Sequence, residues 1–145
     1  MTTAHAAPRA APTRPRRLVP PALTVAGIGL ATLALRVRDP HVPGNWGVCP
    51  SYAVFGVYCP GCGGLRAVND LAHGDFAAAA SSNLLFVVSI PLIVFLLGRW
   101  AWDAWRGVRR QPTRLSSWPV LGVALAVVVL FSVARNLPTG HWLAP

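Results

Sequence analysis

Three cysteines, an arginine and a histidine stand close together in the order Cys49-x9-Cys59-Pro60-Gly61-Cys62-Gly63-Gly64-Leu65-Arg66 and then His73. Thiolates are both nucleophiles and soft metal ligands, so this spacing admits three chemistries. A disulfide between two of the cysteines would fasten the segment, leaving the third buried as a small apolar residue or bonded to another chain. A Cys59-x-x-Cys62 pair opening a helix would have Cys59 made acidic by the helix dipole and local amides. Cys59 would then attack, Cys62 would resolve, and Cys49 would act as relay or substrate thiol, although no βαβ pattern of thioredoxin-like enzymes surrounds the pair. The third chemistry is a metal site. Cys49, Cys59, Cys62 and His73 would form a Cys3His tetrahedron for zinc, with the Cys-x-x-Cys as half-site and the other two ligands 10 and 11 residues away. His73 by itself reads as a turn residue.

Other polar residues near the cysteines have simpler readings. Arg66 and Asp70 are four apart and are expected to pair on one face of a short helix ending near Ala72. The alternative for Arg66 is binding an anion or lipid headgroup, since an arginine near a bilayer is costly without a partner. Gly74 suits the end of that helix and Asp75 the N-cap of the next. Ser81, Ser82 and Asn83 are expected to hydrogen-bond to a neighbouring helix. His5, His41 and His141 sit in polar flanks and read as surface residues. With four Asp and no Glu, carboxylate acid–base catalysis is poorly supplied. No Ser–His–Asp arrangement or phosphate-cradling loop is present.

The elements that must position these residues are apolar. Of 145 residues, 54% are hydrophobic and 12% charged, about half the charged share of a soluble domain. The apolar residues gather in three blocks. The sequence predicts membrane helices over residues 18–35, 76–98 and 118–134, each near the length that crosses about 30 Å of hydrocarbon. Pro20 and Pro21 fall in the first turn of the first block, and Pro91 is expected to kink the second. The first block is longer than the apolar core of a signal peptide and lacks a small-x-small cleavage site, so a retained anchor is expected. Between the spans lie a disordered basic tail (1–17), an extracytoplasmic or interfacial cysteine segment (36–75), a basic loop (99–117) and a short tail (135–145). The stretch Val48 to Tyr58 is too apolar for a solvated loop and is expected to lie in the interface or fold back on the bundle.

Arginines number four, three, five and one in successive non-membrane segments, and lysine is absent. That alternation follows the positive-inside rule and places the tail and the second loop in the cytoplasm. Trp100, Trp102, Trp105 and Trp118 flank that loop as an aromatic belt would, with Trp46 and Trp142 at the opposite face. The net charge of +9 is therefore read as topogenic, and no nucleic-acid partner is expected.

The run CPSYAVFGVYCPGCGGLRAVNDLAHGDFAAAASSN resembles the signature of domain of unknown function 2752, a group of small bacterial membrane proteins. The family pattern is Cys-Pro, then about nine residues on Cys-Pro-x-Cys-Gly-x-Thr/Ser-Arg, then His-Gly-Asp and Asn-Pro. The likeness spans Cys49 to Leu97 and takes in Pro60, Gly63, Arg66, His73-Gly74-Asp75 and Asn83 as motif residues. Leu65 stands where the family has a hydroxyl residue, and Leu84 where it has the proline after Asn83. The resemblance implies a bacterial membrane protein with a cysteine-bearing interhelical segment and no established activity.

The sequence thus predicts an all-α membrane protein of three transmembrane helices, with a short interfacial helix in the Cys-rich segment between the first and second. A multi-pass protein of the bacterial plasma membrane with a cytoplasmic N-terminus is expected. Its leading functional reading is a non-enzymatic accessory protein whose partners are the lipid bilayer and a membrane protein or a second copy of itself. A membrane thiol–disulfide oxidoreductase is the first alternative, and a Cys3His zinc protein the second. No cofactor is predicted outright, and zinc is the one the pattern admits.

Overall fold

The computed structural model describes residues 14–108 and 118–144. Most of the basic tail and residues 109–117 of the basic loop lie outside the described residues. Among the described residues every regular element is helical: α1 (Arg14–Val37), α2 (Pro50–Phe55), α3 (Gly64–Ala72), α4 (Phe76–Arg106), α5 (Trp118–Asn136) and a 3-10 turn over Pro138–Leu143. Three of these helices, α1, α4 and α5, are long and apolar enough to cross a membrane. The chain is a multi-pass membrane protein with a helical cysteine segment between its first two spans.

α1 begins at Arg14, four residues before the apolar block, so Pro20 and Pro21 fall in its second turn rather than its first. α4 runs past Gly98 to Arg106 and is 31 residues long, about 46 Å at 1.5 Å per residue. It is two helices end to end. The break is at Asn83 (φ −161°, ψ 92°), whereas Pro91 is accommodated inside the helix. Asn83 Oδ1 accepts the amide of Phe86 at 2.9 Å, which is the bond an N-cap makes to the third helical residue. Asp75 caps the first half in the same way, through the amide of Ala78 at 2.8 Å.

The α3–α4 corner is tightly built. Gly74, at φ 83°, supplies the left-handed residue of a Schellman ending: its amide bonds Leu71 O at 3.0 Å and that of Asp75 bonds Asp70 O at 2.9 Å. Ala67 and Ala79 are fully buried, and their small side chains let α3 lie close against the first half of α4. The end of α1 docks there too. Asn69 Nδ2 donates to Leu35 O at 2.7 Å and Arg36 Nη1 to Ala72 O at 2.8 Å. Each bond satisfies a carbonyl that a helix C-terminus leaves without an internal partner. At the other end of the bundle, the Arg17 guanidinium lies over Gly107. The start of α1 and the end of α4 therefore share one face, opposite the cysteines.

α5 is different. Residues 118–127 are all exposed, and the helix meets the rest of the described structure chiefly at its C-terminal end. There the 3-10 turn folds back so closely that a Cβ at Gly140 would fall on Ala134 O.

Candidate functional site

The site lies where the cysteine segment meets the ends of the three spans. After α2 the chain turns through Val57–Gly63 into α3. The carbonyls of that turn are held from below by polar residues of the membrane helices. Asn83 Nδ2 donates to Pro60 O at 2.9 Å and to Cys62 O at 3.1 Å. Arg135 Nη1 donates to Cys59 O at 2.9 Å and Cys62 O at 3.2 Å. Asn136 pairs with both backbone groups of Tyr58, accepting from N at 2.9 Å and donating to O at 2.8 Å. With its backbone polar groups so engaged, the turn leaves its sulfurs for chemistry.

Those sulfurs converge. Cys49 Sγ is 3.3 Å from Cys59 Sγ, which is 3.2 Å from Cys62 Sγ, and all three lie within 4.8 Å of one another. Sides of those lengths put the angle at Cys59 no wider than about 95°. The cluster is a triangle, not a line. Cys49 and Cys59 are half-buried and Cys62 is buried. All three line a cleft of about 580 Å³ together with Trp46, Tyr52, Tyr58 and Arg66. The rings of Tyr52 and Tyr58 stack with centroids 4.7 Å apart.

The thiols are electrostatically unequal. Cys49 is drawn down to about 6, first by the Ser51 hydroxyl at 3.0 Å and then by the Cys62 thiol, the Tyr52 amide and the Cys59 thiol, all of which favour its thiolate. Burial, followed by the Cys49 and Cys59 thiols, pushes Cys62 up to about 12. The thiol drawn down, Cys49, lies outside the Cys-x-x-Cys pair.

The other sequence-predicted residues fall in different places. His73 does not join the thiols; its Nδ1 lies 2.9 Å from Asn69 O at the end of α3. The expected Arg66–Asp70 pair does not form. Asp70 accepts from Ser82 Oγ at 2.8 Å and lies 3.3 Å from His41 Nε2, while Arg66 Nε reaches Pro40 O at 3.4 Å. His41, read as a plain surface residue, bridges Asp70 and Asp39, whose carboxyl it holds below its ordinary value, first through its backbone amide and then through its ring. Asn83 binds the cysteine turn rather than a neighbouring helix. Ser82 reaches α3 through Asp70.

Arg135 is the residue the sequence did not single out. It is 1% exposed, and its Nε and Nη2 are buried without a hydrogen-bond acceptor among the described residues. Phe131 and Tyr58 offer ring faces 5.1 and 5.7 Å from the guanidinium carbon. A buried charge without a partner costs several kcal/mol. Its place at the end of an apolar span gave no such signal, because arginines there ordinarily snorkel to the interface.

The fold and the site define a multi-pass membrane protein with a three-thiol cleft held at the common end of its spans. The family described as Protein of unknown function (DUF2752) matches residues 49–97, which bears out the resemblance read from the cysteine motif. No curated protein and no solved structure matches the chain.

Proposed function

We propose that the chain is a non-catalytic, membrane-anchored metal-binding protein in which Cys49, Cys59 and Cys62 hold one thiophilic divalent cation, zinc being the leading choice. The observation that carries this reading is the triangular sulfur cluster. Zn–S bonds of about 2.3 Å at tetrahedral angles place sulfurs about 3.8 Å apart, about half an ångström beyond the two contacts of 3.3 and 3.2 Å and inside the 4.8 Å that encloses all three. A plain disulfide needs two of these sulfurs and gives no reason for the third. His73 is engaged with Asn69 O instead, and with all three cysteines lining the cleft we assign the fourth position to an exchangeable ligand from the cleft. The expected role is to take up or hand on a cation at the membrane surface.

The arginine distribution supports a cytoplasmic N-terminus and a cleft on the outer face of a bacterial plasma membrane. The bare shaft of α5 leaves room for lipid, a partner membrane protein or a second copy.

The test is metal analysis of the reduced, full-length chain in nanodiscs. One equivalent of zinc in the wild type, lost on Cys49→Ser, Cys59→Ser or Cys62→Ser and retained on His73→Ala, supports the reading. A metal-free protein whose mass under non-reducing conditions is lower by two hydrogens shows the disulfide instead. Mixed disulfides with other proteins, trapped on Cys62→Ser, show the oxidoreductase.

A further inference from the structure

The buried, half-satisfied guanidinium of Arg135 has a chemical use if the thiols bind a metal. Among the described residues no carboxylate bonds it, and its hydrogen bonds there are those of Nη1 to Cys59 O and Cys62 O. Among the described residues, the titratable groups that act on it electrostatically include Cys62, Cys59, Tyr58 and Cys49. Three thiols and a divalent cation give an anionic cluster: M²⁺ + 3 RSH → [M(SR)3]⁻ + 3 H⁺. One negative charge is what a lone buried arginine balances.

Resting on the metal-binding reading, we propose that Arg135 is the counter-cation of the loaded trithiolate and makes the site selective for divalent ions. With Arg135 present a divalent ion yields a neutral assembly. A monovalent ion leaves one negative charge and a trivalent centre one positive charge. Where water is scarce, at the end of a membrane span, the uncompensated charge is costly. Arg135 is a positioning and specificity residue, because it reaches the metal only through the field it sets and the carbonyls it holds.

The experiment compares Cd²⁺ with arsenite on the full-length reduced protein in nanodiscs. Arsenite condenses with three thiols to a neutral adduct: As(OH)3 + 3 RSH → As(SR)3 + 3 H2O. In the wild type, Cd²⁺ binds one equivalent. Arg135→Gln keeps an amide donor for the turn carbonyls and removes the charge. It is expected to weaken Cd²⁺ at least tenfold while arsenite affinity holds or rises. Arg135→Lys keeps the charge with fewer hydrogen bonds, and its Cd²⁺-to-arsenite ratio is expected to stay within about threefold of the wild type. Equal loss of both ligands in Arg135→Gln overturns the proposal and leaves the metal reading standing, since Arg135 would then only hold the turn. Should the Gln variant not fold, the Lys variant decides. A ratio that collapses despite the retained charge overturns the proposal. Wild-type protein that takes up no Cd²⁺ overturns both this inference and the reading beneath it.

Discussion

The two ends of α5 are built on different terms. Its first ten residues, Trp118 to Val127, are exposed along the whole surface. Its last two, Arg135 and Asn136, reach across to the cysteine turn with hydrogen bonds to Tyr58, Cys59 and Cys62. The shaft is specified by composition, since any apolar side chain of helical propensity serves a lipid-facing position. The end is specified residue by residue. Asn83 shows the same division in α4: it ends one helix, caps the next and ties down two carbonyls of the thiol turn.

The largest consequence of this contrast is in thiol reactivity. In the metal-free, reduced protein, Cys49 at about 6 is mostly thiolate at neutral pH while Cys62 at about 12 is almost wholly protonated. Alkylation followed by peptide mapping is expected to label Cys49 faster than Cys62 by several orders of magnitude. Reactivity of Cys49 falls as the pH drops through about 6. The linked stability runs in opposite senses. The lowered Cys49 value contributes stability that is complete above the ordinary thiol value of 9.0 and is lost on acidification towards about 6. The raised Cys62 value contributes stability complete below 9.0 and lost as pH rises through about 12. Comparable labelling of the two at neutral pH would erase the inequality.

Asn83→Leu comes next. It strips the donor from Pro60 O and Cys62 O and the cap from the second half of α4, and is expected to cost about 2–4 kcal/mol, read by thermal unfolding in detergent. Gly140→Ala forces its new methyl onto Ala134 O and is expected to cost about 1–3 kcal/mol, displacing the 3-10 turn from α5. On the shaft, Leu125→Ala is expected to change stability by less than about 0.5 kcal/mol. A loss above about 2 kcal/mol there would reveal a packed interface and end the distinction between shaft and end.

This division also explains what was legible in the sequence. The three spans and the interhelical segment followed from apolar block length, because lipid imposes that constraint on any sequence. The α3–α4 corner was legible in Gly74 and Asp75, whose backbone preferences are local. Three of the four proposed metal ligands came together. His73 did not, because it lies beyond the end of α3 and is taken up by Asn69 O. The Arg66–Asp70 spacing allowed a pair, yet tertiary partners more than ten residues away in sequence won both side chains. Pro91 was the local signal for a kink, but the break fell at Asn83, where side-chain bonds to the cysteine turn replace helical ones. α2 went unread because Pro50–Phe55 carries no periodic pattern over its 6 residues. Arg135 was missed for the opposite reason: its role depends on a turn that lies 73 residues earlier in the chain.

The most direct measurement of the central claim is X-ray absorption at the zinc edge of the loaded, full-length protein in nanodiscs. Cys49, Cys59 and Cys62 predict three sulfur scatterers at about 2.3 Å and one lighter oxygen or nitrogen neighbour at about 2.0–2.1 Å. A zinc ion surrounded only by light atoms, or by two sulfurs or fewer, would contradict it.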